Sequence, residues 1–349
     1  MRLVVDAVGV RPGSAAIVIG NLLHGWAEAF PDDDVEVLTD GPARFPLPSS
    51  ATNRRLVGEA GLLTRLRAQS LGVRRAARGA DALLSAVTAG AFLGARCPRG
   101  AIVYDVRHEL RPEQFPASRR LARRVLYGWT FRRADALFCI SERTRVDVLR
   151  RRPALAAKTH ATLLGADHVR DWTSAGGERY VLAFGHFANK NVDGVLDAWA
   201  SVETGLRLRV TGLRGAAREA AQRRVDALGL GDRVELLGWL SDAEFEATFA
   251  GAAAVVFPSD FEGFGLPAVE AMLLGIPVVV SADPALLEVT GGHAVVAADD
   301  RPATLARAIA SALGRDPAQL DAAVEHARTF TWARMARQIR GVLYPGGAP

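Results

Sequence analysis

Short β-branched runs alternate with helix-patterned segments along the whole chain, and this alternation narrows the available folds more than any other feature. LVVDAV, VEVLT, DALLSAV, AIVYDV and DALFCI punctuate the first half; YVLAFG, LRLRVTG, RVELLG, AAVVFPS and IPVVVSA punctuate the second. Strands separated by helices pair in parallel, because a parallel neighbour can be reached only by a crossover. The expectation is therefore an α/β protein of two parallel-sheet domains, residues 1–170 and 178–330. The polar, Gly-containing GADHVRDWTSAGGERY reads as the link between them, near 168–178. The last helix, in TWARMARQIRGVLY at about 331–345, has no later strand to reach and is expected to pack back on the first domain.

A chain of 349 residues, 49% hydrophobic and 23% charged, is long enough for two cores of this kind. The two cysteines, Cys97 and Cys139, have no metal-ligand spacing and are too few for a disulfide framework, which suits a reducing compartment. The opening MRLVVDAVGVRPGSAAIVIGNLLHGW is interrupted by Asp6 and Arg11, so strand, loop and helix fit it better than a signal peptide. No run reaches the roughly 18 apolar residues of a membrane helix. A cytoplasmic protein is expected, with contact at the inner face of a membrane as a further reading. The net charge of +5 comes with no groove-reading motif, so no nucleic-acid partner is expected. Arg119, Arg120, Arg123 and Arg124 do recur at helical spacing beside Leu121, Val125, Leu126 and Trp129. Such a helix either rests on an anionic membrane surface or turns its apolar residues to the core beneath a solvated arginine face.

Open parallel sheets take ligands at the carboxyl ends of their strands. PSDFEGFGLPAVEAMLLGIPVVV, residues 258–280, is such an end: a strand, a Gly-containing turn, then a short helix with Pro267 in its first turn. The free N–H groups near Phe264, Gly265 and Leu266 form an anion site with the positive end of the helix dipole. Glu262 and Glu270 have no histidine or third carboxylate at ligand spacing, so they suit sugar hydroxyls better than a metal. Phosphate donors flanked by hydroxyl acceptors match a nucleotide sugar. Asp32, Asp33 and Asp34 read as solvated turn residues, and neither a metal nor a cofactor is expected.

With its E-x7-E pattern, FGHFANKNVDGVLDAW upstream and LLEVTGG and FTWARMA downstream, the stretch 179–345 resembles the family-four retaining glycosyltransferases. These are the glycosyl transferases group 1, of GT-B architecture: two Rossmann-like parallel-sheet domains facing a central cleft. YDVRHELRPEQF and ISERTRVDVL are similar to the family's acceptor domain, with Asp105, His108, Pro112 and Glu113 matching and Tyr104 in place of a histidine. The resemblance implies that Glu270 holds the ribose, that Glu262 faces the donor sugar, and that Lys190 binds the diphosphate in the loop that begins at Gly185. It implies acceptor-side roles for Asp105 and His108, with His108 also close to the transferred sugar, and it puts Gly13 and Ser14 near donor phosphate. Asn189 stands where relatives often carry arginine, and Arg214 is the nearest candidate to supply that cation.

The implied activity is a metal-independent hexosyltransferase that moves a hexose from a nucleoside diphosphate sugar to a hydroxyl of a glycan, a lipid carrier or a small molecule, with retention. The other readings are a nucleotide-sugar epimerase or hydrolase on the same fold, and a non-catalytic nucleotide-sugar-binding subunit.

Overall fold

A computed structural model describes residues 1–56, 64, 67–90, 95–177 and 179–346. The chain divides into two compact units: Met1–Gly165 with Thr331–Pro349, and Ala166–Phe330. Each is a parallel sheet with helical crossovers, the two-domain α/β fold expected from the alternation.

In the first unit, β1 (Arg2–Asp6), β2 (Asp34–Thr39), β3 (Ala51–Arg55), β4 (Ala82–Ser85), β5 (Arg99–Val103), β6 (Ala136–Cys139) and β7 (Thr159–Ala161) are ordered 3-2-1-4-5-6-7. In the second, β8 (Tyr180–Phe184), β9 (Arg207–Thr211), β10 (Val234–Leu236), β11 (Ala252–Phe257), β12 (Val278–Ser281) and β13 (Val295–Ala297) are ordered 10-9-8-11-12-13. Both sheets wind outward from a central pair, so the direction of winding reverses between β1 and β4 and between β8 and β11. Strands β8 and β11 are buried almost throughout, because helices cover both faces; hence their continuous apolar runs rather than alternation. The strands that the sequence pattern does not reveal, β3, β7 and β13, lie at or next to sheet edges. There ATNRR is mostly exposed, and THA and VVA are only three residues long.

The segment read as a link belongs to the second unit. Val169 is fully buried, and the Trp172 ring packs edge-on against Phe245 and Phe249 at 5.9 and 5.6 Å. These two apolar anchors, which no periodicity announces, pull residues 166–172 into that core; residue 178, the expected start of the second domain, lies outside the described residues.

The helix Trp332–Leu343 lies against the helix Ser14–Ala29 of the first unit, burying Met335, Ala336, Ile339 and Leu343. Close approach depends on Gly25: a Cβ there would come within 2.3 Å of the Trp332 carbonyl carbon. One aspartate of the run 32–34 fastens the same contact. Asp33 accepts from Arg340 Nε at 3.0 Å and from Trp26 Nε1 at 3.0 Å, and is 8% exposed. The turn reading of this run therefore fails at its middle residue, which is an interior ion-pair partner.

Burial alone would raise the Asp33 pKa, but its hydrogen bonds, that from Arg340 foremost, outweigh this and leave it below 3.8. A carboxylate depressed in the folded state adds stability above its unfolded pKa and loses it as the pH falls through the folded one. Asp33→Ala is expected to cost about 3 kcal/mol at neutral pH by leaving Arg340 buried without its anion. In urea unfolding, the gap between wild type and variant should close as the pH is lowered below about 4.

Candidate active site

The loops after β8 and β11 leave the sheet on either side of the reversal point, the place where an open parallel sheet leaves a crevice. The first runs from Gly185 through a 3-10 turn, Ala188–Lys190, into the helix Val192–Trp199. Gly185 is needed for the tight exit, since a Cβ would come within 2.6 Å of Leu213. Asn191 turns the chain at φ 54° and caps the helix, its side chain accepting from Gly194 N at 3.2 Å. Asparagine is one of the few residues that adopt this left-handed conformation readily.

Asn189 buckles the two loops together. Its Nδ2 donates to Ser259 Oγ at 2.7 Å, to the Phe261 carbonyl at 3.0 Å and to Glu262 Oε1 at 3.2 Å. Its carbonyl accepts from Ser259 Oγ and Asp260 N at 2.9 and 3.0 Å. A residue 4% exposed and so engaged acts as a structural clasp between the loops. Held beside it, Lys190 donates to Glu262 Oε1 at 2.5 Å, and its ammonium lies 4.2 Å from the centre of the Phe257 ring. Glu262 is also fixed through its own N–H, 3.4 Å from Asp283 Oδ2, while Asp283 caps the helix Pro284–Thr290.

Gly265, at φ 98°, ends the loop and begins the helix Leu266–Leu273. The Phe264 side chain turns into the core, its ring 6.0 Å from that of Phe330. Among the described residues, no backbone carbonyl accepts from the N–H of Phe264, Gly265 or Leu266. The helix thus begins with unspent donors, next to a loop that carries a buried ammonium. One turn further, Glu270 is 5% exposed, with Oε1 3.2 Å from His168 Nε2. Sequence reasoning missed His168, which lies far from Glu270 in the chain within the segment read as a link, and no local pattern marks it.

Other expected residues fall elsewhere. Arg214, the candidate for the absent cation, is exposed and stacked on Trp239, 4.1 Å from the ring centre. Its position at the start of the next helix, Gly215–Ala227, directs it to that aromatic partner instead. In the first unit, Gly13 is the N-cap of the helix Ser14–Ala29 at φ 125°, and both Gly13 and Ser14 are exposed after β1. Asp105 braces a turn by accepting from Arg107 N at 2.8 Å. His108 is 2% exposed and packs edge-on against Tyr127 at 5.0 Å. Desolvation lowers its pKa, and its Nε2 lies 3.5 Å from Glu109 Oε1. Tyr104, in the place of the family's histidine, is partly buried and donates to the Ala86 carbonyl at 2.9 Å.

Residues 166–329 match the family model of the Glycosyl transferases group 1. The second unit is a group 1 glycosyltransferase domain. Curated relatives include the O-antigen chain mannosyltransferase B of Escherichia coli, 33% identical over 34% of this chain and 35% of its own. Another is the GDP-mannose-dependent alpha-(1-6)-phosphatidylinositol dimannoside mannosyltransferase of Mycobacterium tuberculosis, 31% identical over 44% of this chain and 40% of its own. The chain therefore spans well under half the length of these relatives. Over nearly its whole length it shares the fold of Anabaena HepE, solved with UDP and glucose: TM-score 0.77, 17% identity, and 99% and 100% of the two chains covered. Within the glycosyltransferase domain, the matched region contains Lys190, Glu262 and Glu270.

The clasp predicts a stability order. Asn189→Ala removes the shared donor from two buried acceptors and the half-buried Glu262 and is expected to cost about 2 kcal/mol. Asn189→Asp should cost more, because it turns a second carboxylate toward Glu262; urea unfolding of the three proteins checks the ranking.

Proposed function

We propose that this protein is a metal-independent, retaining hexosyltransferase that uses a nucleoside diphosphate sugar. The observation that carries the reading is the pairing of a buried Lys190 ammonium with Glu262 at the sheet's reversal point, beside a helix start with free N–H groups and the nearly buried Glu270. The diphosphate would take the helix N-terminus and the Lys190 ammonium, which stabilises the charge that develops as the nucleotide departs. Glu270, oriented by His168, would accept the ribose hydroxyls. Glu262 would exchange part of its contact with Lys190 for a sugar hydroxyl. With no nucleophile assigned in this domain, front-side attack by the acceptor hydroxyl, its proton passing to the leaving phosphate, fits retention. The names of the relatives make GDP-mannose the first donor to test and UDP-glucose the second. The acceptor is a hydroxyl of a glycan, a lipid or a small molecule.

Calorimetric titration with GDP, UDP, TDP and ADP in the presence of chelator should show selective binding of one nucleotide. Glu270→Ala should abolish that binding. Lys190→Ala should lower kcat by about a hundredfold or more, with a smaller change in affinity for the free nucleotide. Failure of all four nucleotides to bind rejects the proposal. Turnover of the donor without an acceptor would turn it toward an epimerase or hydrolase.

A further inference from the structure

The helix Ala117–Arg133 is amphipathic in the opposite sense to an ordinary surface helix. It carries six arginines and no acidic residue in ASRRLARRVLYGWTFRR. Only Thr130 and Phe131 are buried. With about 100° per residue, the direction opposite this buried edge is occupied by Leu121 and Val125, one turn apart. They are 64% and 59% exposed, among the most exposed large apolar side chains described. Trp129 continues their row a turn later, partly buried, with the Arg133 guanidinium 5.0 Å from its ring centre. Arg119, Arg124, Arg132 and Arg133 stand exposed on the shoulders of the row, while Arg123 folds inward over Phe115 at 5.0 Å. Of the apolar residues in the core-facing reading, Leu126 and Trp129 are partly buried, whereas Leu121 and Val125 face solvent.

We infer that this helix docks the protein on an anionic lipid surface, lying in the plane of the interface. An outward apolar row that ends in a tryptophan and is flanked by cations matches the layered chemistry of a bilayer face, where acyl chains lie beneath a plane of anionic headgroups. No carboxylate interrupts the arginines along the helix itself; the nearest in sequence, Glu113 and Asp135, lie beyond its two ends. An acidic protein or a nucleic acid would use the arginines but gain little from Leu121 and Val125. A bilayer uses both. The inference rests on this helix alone and not on the transferase reading.

Co-sedimentation of the full chain with vesicles of phosphatidylcholine containing about one third phosphatidylglycerol tests it. The wild type should bind these vesicles, bind pure phosphatidylcholine far less, and be released by added salt. Arg124→Glu with Arg132→Glu, and separately Leu121→Ser with Val125→Ser, should each weaken binding about tenfold or more. All four positions are exposed, so melting temperature and nucleotide binding should stay at wild-type values and show that the loss is not misfolding. No vesicle binding by the wild type, wild-type binding by either double variant, or retention on duplex nucleic acid without vesicle binding overturns the inference.

Discussion

A buried ammonium needs a partner, and in this protein the need of Lys190 for Glu262 organises the candidate site. Neither group tolerates a dry environment alone, so the loops that carry them must meet. Asn189 makes that meeting rigid by satisfying acceptors on the second loop with its side chain and donors with its carbonyl. The same loop then turns at Gly265 into a helix whose first N–H groups are unspent. Charge, clasp and helix start thus converge because the connections from the adjacent parallel strands β8 and β11 lead away in opposite directions at this point of the sheet. A different strand order would have separated them.

The first unit is closed by a different device. Its final helix returns after the whole second unit has been built, and it fits because Gly25 leaves room for Trp332 and Asp33 holds Arg340. Shape and charge act together there. Without the glycine the helices stand too far apart for a well-packed contact, and without the aspartate an arginine would be stranded in it. Folding of this unit consequently depends on both ends of the chain.

Much of this could be read from the residues. The alternation of strand and helix signals disclosed both sheets, because strands buried on two faces must be continuously apolar. The Gly265–Pro267 start, the flanking glutamates and Lys190 marked the loops of the candidate site. Three of the four edge strands among the described residues escaped detection: ATNRR earns its place by pairing with β2, not by burying side chains. His168 escaped for a related reason, since its relation to Glu270 exists only after the chain has closed on itself. At His108 in the first half, no local pattern shows that the ring turns inward against Tyr127.

Periodicity and local turn chemistry are properties of neighbouring residues, so the sequence by itself determined the class of the fold, the positions of most strands and the residue types at the carboxyl edge of the second sheet. What each polar side chain faces depends on residues that arrive from elsewhere in the chain. Only tertiary structure decided that Asn189 would be a clasp, that Arg214 would be spent on Trp239, and that Leu121 and Val125 would point to solvent. Helical spacing puts apolar residues on one face of a helix; only packing decides whether that face turns inward or outward.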